Sequence, residues 1–191
     1  MVDEAFPFHI PTAEEAQAMT PASRMVMKDA MMDQLPAAAE LDALPGAVER
    51  CLGAKAMTFA AEVPDAAMRE RLPLGPQLEI VSSGRLEDAD SVHRGSGTAT
   101  LYTGAGAGVV LRLEEFRITN GPDLHVLLAT GESPRRRSDL GDYVDLGSLK
   151  GNVGDQNYSL PADLDHRRYL SVVIYCKPFH VVFATAMLQA P

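Results

Sequence analysis

The chain has 191 residues and a mass of 20.5 kDa, enough for one domain with a hydrophobic core that needs no disulfide or metal to fold. Hydrophobic residues make up 46% and charged residues 23%, and the given chain has no apolar run of roughly 18 residues, so full disorder and a membrane span within it are excluded. The net charge of −9 argues against nucleic acid as a partner, and two cysteines exclude a disulfide-rich or four-cysteine zinc scaffold.

Composition changes after Ser83. Eight of the nine methionines precede this point, and twelve of the fifteen glycines follow it. The first 83 residues hold 6 basic and 13 acidic side chains, so 6 minus 13 gives −7 of the total −9. Glycine combined with aromatic and β-branched residues is typical of short strands joined by tight turns. We therefore predict an α+β chain, with a short helical, Met-rich acidic region over residues 1–76 and an all-β sandwich or barrel over residues 77–191.

Helix start signals lie in the N-terminal region. Thr12–Glu15 matches a capping box, and Thr20–Pro21 places a hydroxyl before a proline at the first helical position. These signals predict a short helix from Thr12 and a second helix over Ala22–Gln34. Pro64–Arg71 is interpreted as a further helical turn, and Leu72–Pro76 as a stiff linker at the domain boundary.

Strand and turn patterns follow in chain order. Ser96–Tyr102 and Val109–Leu113 flank Gly104–Gly108, which predicts a hairpin. The turn Asn120–Asp123, in which Gly121 is expected to supply a positive φ, precedes the apolar strand Leu124–Ala129. The spacing of roughly ten residues between turns favours a sandwich or barrel. Later predicted strands cover Tyr143–Leu146, Tyr169–Cys176 and Phe179–Leu188.

The C-terminal part resembles the DM13 domain family, an all-β extracytoplasmic family found beside DOMON domains in animals. The resemblance covers roughly residues 84 to 189 and rests on several blocks in the expected order, namely Gly84–Tyr102, Leu113–Leu124, Lys150–Pro161 and Tyr169–Phe179. It implies a DM13-like β-domain with an electron-transfer or redox role. It also implies that Cys176, in the last block, is the redox centre.

Two interpretations of Cys176 remain open. Lys177 follows it, and a nearby ammonium group can lower a thiol pKa and favour the reactive thiolate. The alternative is a non-enzymatic binding or structural module in which Cys176 is a buried core residue, because unpaired cysteine is among the most buried residue types. A redox cycle needs more than one thiol, and Cys51 is the only internal candidate for a bridge to Cys176.

Candidate binding residues are polar side chains within or beside the family blocks: His93, Asp123, His125, Tyr158 and His180. If a metal binds, Cys176, His125 and His180 are the expected ligands, since imidazole and thiolate suit copper, haem iron and zinc. Their spacing contains no short ligand pair, so no cofactor is predicted. The sequence also offers no nucleophile and base in a recognisable arrangement, and a hydrolase or transferase is not predicted.

Location and partners follow mainly from the resemblance. Val2–Pro7 resembles the segment that follows a single N-terminal membrane anchor in bacterial members, which implies an extracytoplasmic chain tethered by a segment absent from the given sequence. A complete, cytoplasmic chain is the alternative. The expected partner is a membrane redox protein or another extracytoplasmic protein. Methionines spaced three to four residues apart (Met25, Met27, Met31 and Met32) predict a packing or homodimer surface rather than a Cu(I) site.

Overall fold

The computed structural model describes residues 13–20, 22–24, 26–27, 57, 60, 63–73, 78–104 and 108–191. The chain divides into two compact units. The first unit consists of residues 1–65, 120–124 and 176–180, and the second of residues 66–119, 125–175 and 181–191.

About half of the described residues are in β-strands. A short helix, α1, spans Ala13–Ala18. The nine strands are β1 Ala67–Arg69, β2 Leu78–Asp88, β3 Gly95–Gly104, β4 Val109–Ile118, β5 Leu124–Ala129, β6 Tyr143–Ser148, β7 Val153–Ser159, β8 Ser171–Cys176 and β9 Val181–Met187. Two 3₁₀ turns cover Arg137–Asp139 and His166–Arg168.

The strands form a single sheet in the order β1-β7-β4-β3-β2-β9-β8-β5-β6. Strand β2 connects its two halves, because Leu78–Arg85 pairs with β3 whereas Leu86–Asp88 pairs with β9. The predicted β-rich fold is confirmed, but the sheet curls into a half-barrel and is neither a two-sheet sandwich nor a closed barrel.

The hairpin predicted around the glycine-rich turn is confirmed. Strands β3 and β4 are antiparallel, with Leu101 opposite Leu111 and Ala99 opposite Leu113. All four of these side chains are fully or almost fully buried. Inward-facing apolar residues at alternate positions therefore hold this part of the sheet together, as the period-two pattern predicts.

Strands β5 and β8 are buried at every position. Their sequences are correspondingly apolar throughout, which is the pattern of strands covered on both faces. Phe116, Phe183 and Ile174 are among the largest side chains that are completely enclosed. Cys176 is the last residue of β8 and belongs to the same buried set.

The helical turn predicted over Pro64–Arg71 is wrong, because Ala67–Arg69 forms β1 and pairs in parallel with β7. Gly154 lets the two strands approach closely, since a Cβ at that position would lie 2.1 Å from the carbonyl oxygen of Met68. The sheet thus begins before the domain boundary predicted at residue 76, and that boundary stays a prediction.

Little of the predicted N-terminal helix lies within the described residues. Helix α1 begins at Ala13, as the capping pattern predicts. The Thr20 hydroxyl accepts a hydrogen bond from the Ser23 N–H at 3.2 Å, which is the predicted cap of a new helical start. Helical residues follow at 22–24 and 26–27. The rest of Ala22–Gln34 and most of the methionine stripe lie outside the described residues.

Candidate functional site

Cys176 is enclosed where two turns of the first unit meet. Only 1% of its surface is exposed, and its Sγ–H donates a hydrogen bond to the Pro122 carbonyl oxygen at 2.9 Å. The next backbone N–H, of Lys177, donates to the Asp123 carbonyl oxygen at 3.2 Å. We call residues 120–124 and 176–180 the paired turns. The two hydrogen bonds fix the cysteine by both its side chain and its neighbouring backbone.

The surroundings of Cys176 favour the protonated thiol. Burial raises its pKa to about 12, and the negative charge of Asp123 acts in the same direction. A hydrogen bond from the Phe179 backbone N–H lowers the pKa but does not outweigh burial. The raised pKa is opposite in direction to the effect expected of Lys177, because an enclosed thiolate loses its hydration.

The backbone of the paired turns is unusual at two non-glycine residues. Asp123 has a φ of 42° and His180 a φ of 53°, both in the left-handed region. The positive φ expected at Gly121 is thus adopted by Asp123, a residue type that tolerates this conformation. Asn120 anchors its turn by donating from Nδ2 to the Val63 carbonyl oxygen at 3.0 Å. The Asn120–Asp123 sequence consequently serves turn geometry, as expected, but through a different residue.

His125 lies on β5 in the second unit, beside two polar residues of β6. Its Nδ1 is 2.8 Å from Oδ1 of Asp145, and its Nε2 is 3.3 Å from Oγ of Ser148. His125 is 9% exposed, whereas Ser148 is exposed. Sequence reasoning named His125 but missed both partners, since they lie about twenty residues away and only strand pairing brings them together.

His93 forms a local structural contact. Its Nδ1 is 2.7 Å from Oδ2 of Asp90, and its ring centroid lies 4.4 Å from that of Phe183. Burial acts to raise the pKa of Asp90, but hydrogen bonds from the His93 side chain and from the backbone N–H groups of His93 and Val92 lower it below its usual value. This arrangement orders the loop between β2 and β3.

Tyr158, another candidate binding residue, is buried in the second unit, and its hydroxyl is hydrogen-bonded. Its hydroxyl donates to Oε1 of Gln156 at 2.8 Å and accepts from the Lys150 backbone N–H at 3.1 Å. The Lys150 ammonium lies 5.1 Å from the centre of the Tyr158 ring. Burial raises the pKa of Tyr158 to about 12. These contacts support a structural role for the hydroxyl.

A buried arginine lies at the centre of a polar cluster in the second unit. Arg112 is 8% exposed and binds carboxylates of Glu114 and Asp155 at 2.8 and 3.0 Å. It also donates to the Glu70 carbonyl and to the Asn157 side chain. An arginine within the apolar run Val109–Leu113 is the sequence signal that could have indicated this cluster. The cluster links the residues after β1 to β4 and β7.

The described residues contain no group of three or more His, Cys, Asp or Glu side chains placed to hold a metal ion. No helix among them is long and apolar enough to cross a membrane. Cys176 is a free thiol and forms no disulfide. Cys51 itself lies outside the described residues.

A family profile described as "Electron transfer DM13" matches residues 87–188, more than half of the chain. The chain belongs to the DM13 family. The matched segment begins near the end of β2 and includes β3 to β9. No curated protein and no solved structure matches the chain.

The predicted site residues of this DM13 chain do not all share one cluster. Four of them lie in the paired turns of the first unit, namely Asp123, Cys176, Lys177 and His180. The others belong to the second unit, where His93, His125 and Tyr158 each have their own hydrogen-bond partners. The DM13 domain is described as an electron-transfer domain. The surroundings of Cys176 bear on whether this thiol itself takes part in electron transfer.

Proposed function

We propose that this DM13 chain is an electron-transfer module that works with a partner carrying the redox group, and that Cys176 is a structural thiol of the paired turns. The family description supports the electron-transfer role. The enclosure of Cys176 is the observation that carries the structural assignment, because a thiol that is 1% exposed offers no surface to a disulfide or an oxidant.

The protonation of Cys176 adds a second argument. Because burial raises its pKa to about 12, Cys176 is almost entirely protonated at pH 7. Thiol–disulfide exchange proceeds through the thiolate and also needs an approach path to the attacked sulfur. The folded chain provides neither a thiolate at Cys176 nor a path to its sulfur. Electrons are therefore passed by a group outside the Cys176 environment.

The partner in this proposal is a membrane redox protein or another extracytoplasmic protein. Both the partner class and the extracytoplasmic location rest on the resemblance of the sequence blocks to DM13 members, and so does a native membrane tether. In this proposal the partner protein carries the redox group, which is haem or copper. Mixing the chain with a candidate haem protein and following the haem Soret band under reducing and oxidising conditions measures this role directly.

A second candidate function is supported by the position of Cys176 in the last DM13 sequence block and at the end of β8. In this alternative Cys176 is itself the redox centre. The paired turns would open, expose Sγ and allow a mixed disulfide with a partner thiol. The opening would take place at the backbone of Asp123 and His180, since left-handed conformations cost free energy for residues with a Cβ.

Thiol labelling separates the two candidates. The variant Cys51→Ser leaves Cys176 as the one thiol, and the matched variant Cys176→Ser leaves Cys51. In the folded Cys51→Ser chain, we expect a maleimide to react with Cys176 at least about 100-fold more slowly than in the same chain unfolded in guanidinium. Complete labelling of folded Cys51→Ser within the time that the unfolded chain needs would favour the redox centre and contradict the structural assignment.

A further inference from the structure

Three side chains on β5 and β6 form a hydrogen-bonded series. Asp145 Oδ1 lies 2.8 Å from Nδ1 of His125, and the opposite ring nitrogen, Nε2, lies 3.3 Å from Oγ of Ser148. All three residues belong to the second unit and to one antiparallel strand pair. The series has the order carboxylate, imidazole, hydroxyl, which is the arrangement that activates a serine nucleophile.

A β-bulge is what brings Asp145 and Ser148 to the same side of β6. Residues three apart in a regular strand point to opposite faces. Here His125 pairs with Ser148 and Leu127 with Asp145, so two residues of β6 face one residue of β5 between these pairs. The extra residue restores a common face. Gly147, with a φ of 111°, lies in this bulge. Bulges are frequent next to active sites because they redirect a side chain in this way.

The hydrogen-bond distances fit a neutral His125 that carries its proton on Nδ1. An ionised carboxylate only accepts hydrogen bonds, so Nδ1 must donate to Asp145. In the neutral ring, Nε2 then has the lone pair and accepts from the Ser148 hydroxyl. Asp145 is held in turn by the Gly147 backbone N–H, which donates to Oδ1 at 2.9 Å. This arrangement fits the tautomer that a general base for Ser148 requires.

The nucleophile is accessible from solvent. Ser148 is exposed, and β6 is at the edge of the sheet. A Cβ built on the neighbouring Gly147 would have no atom within 4 Å apart from its chain neighbours, so the bulge itself is open. His125 is 9% exposed and protected from bulk water on most sides. An open approach to the hydroxyl with a sheltered base suits a small, unhindered acyl group.

We propose that Ser148, His125 and Asp145 form a serine acyl-transfer site that hydrolyses small carboxylic esters. Ser148 Oγ bonds to the ester carbonyl carbon while its proton moves to Nε2 of His125. The bond from that carbon to the alcohol oxygen breaks, and His125 returns the proton to the departing alcohol. Water then attacks the acyl-serine, giving its proton to Nε2; the bond to Oγ breaks and Oγ regains the proton. The products are one acid and one alcohol.

This inference stands apart from the electron-transfer proposal. Its residues belong to the second unit, whereas the paired turns around Cys176 belong to the first. Loss of one activity by mutation is therefore expected to leave the other unchanged. In this assignment Ser148 and His125 are catalytic residues, and Asp145 is a positioning residue that acts through His125.

The test uses the full chain with a fluorophosphonate probe and with p-nitrophenyl acetate. We expect the probe to modify Ser148, as located by peptide mass spectrometry, and nitrophenol release to exceed that of Ser148→Ala by about 100-fold. Ser159→Ala is the matched control, because Ser159 is also exposed at the end of a strand but lies on β7. Its labelling and hydrolysis rate should equal those of the unmodified chain.

Asp145→Asn keeps the side-chain size and an oxygen for the Gly147 N–H while removing the charge that fixes the tautomer of His125. We expect it to slow probe labelling by about 100-fold or more, with an unchanged circular dichroism spectrum and partial recovery in Asp145→Glu. Probe attached to residues other than Ser148, or equal rates in Ser148→Ala and the unmodified chain, would overturn the acyl-transfer site. Equal labelling in Asp145→Asn would overturn the positioning role.

Discussion

Cys176 shows how strongly enclosure controls the chemistry of a single residue. Its neighbour in sequence, Lys177, suggested an acidic thiol, but a sequence neighbour on a strand end need not share the direction of the side chain. The sulfur instead meets the Pro122 carbonyl oxygen and the charge of Asp123. Both favour the protonated form, because a carbonyl oxygen accepts the thiol hydrogen and a carboxylate repels a thiolate.

The raised pKa of Cys176 predicts a loss of stability at alkaline pH. Its folded pKa is about 12, compared with a model-peptide value of 9.0, so the folded chain holds its proton more tightly. The contribution is complete below pH 9 and is lost as pH rises towards 12. We expect the free energy of unfolding to fall over this interval in guanidinium titrations at successive pH values.

Cys176→Ala provides the control for this pH dependence. The variant should be less stable at pH 7, because it loses a buried side chain and its hydrogen bond, but its stability should fall less between pH 9 and 10. Tyr158 also has a raised pKa, from 10.0 to about 12, and contributes mainly above pH 10. Identical slopes for Cys176→Ala and the unmodified chain between pH 9 and 10 would show that the thiol is not desolvated.

Among the elements, the pairing of β6 with β5 includes a bulge that the local sequence does not predict. Gly147→Ala should destabilise the fold by about 1–3 kcal/mol, because a residue with a Cβ rarely adopts a φ near 111°. It should also disturb the register that places Ser148 opposite His125. The unfolding midpoint and the NMR amide shifts of β5 measure the two effects.

Gly108→Ala is the comparison for this bulge variant. Gly108 also has a positive φ, 73°, and its Cβ would likewise meet no atom within 4 Å, but it lies just before β4. We expect a loss of stability in both variants and shifted β5 amides in Gly147→Ala alone. Unchanged β5 amides in Gly147→Ala would mean that the bulge does not set the register of this strand pair.

Strand β1 illustrates how a distant surface can override local preference. Ala67–Arg69 has no marked strand propensity, and its flanking residues suggested a helical turn. These residues form a strand because they pair with β7. The side-chain amide of Asn152 also holds the start of this segment, since its Oδ1 accepts a hydrogen bond from the Ala66 N–H at 2.7 Å. Just after β1, the Glu70 carboxylate binds the Lys150 ammonium at 2.9 Å. Such long-range contacts cannot be predicted from the spacing of apolar residues along the chain.

At the scale of the whole molecule, the extent of the folded sheet can be tested by comparing two shortened chains. A chain of residues 63–191 retains β1, whereas one of residues 77–191 begins at the predicted boundary and lacks it. The shorter chain leaves buried Arg112 without the Glu70 carbonyl, and the Asn157 amide without its acceptor on Arg71. Each such buried polar group costs about 1–3 kcal/mol when unpaired.

We therefore expect the 77–191 chain to have a clearly lower free energy of unfolding than the 63–191 chain in guanidinium titrations. Equal values would mean that β1 and the buried arginine cluster add nothing to stability. A full-length variant, Arg112→Met, checks the cluster without removing any backbone. It should be destabilised because the carboxylates of Glu114 and Asp155 lose their common partner.

The sequence by itself determined the strand-rich character, the β3–β4 hairpin, the continuously buried strands and membership of the DM13 family. Each depends on local alternation, turn residues or ordered blocks, which need no knowledge of distant contacts. The tertiary structure decided the protonation of Cys176, the strand at Ala67–Arg69 and the meeting of His125 with Asp145 and Ser148. These depend on burial and strand register, which arise when residues far apart in the chain pack together, and no local pattern records them.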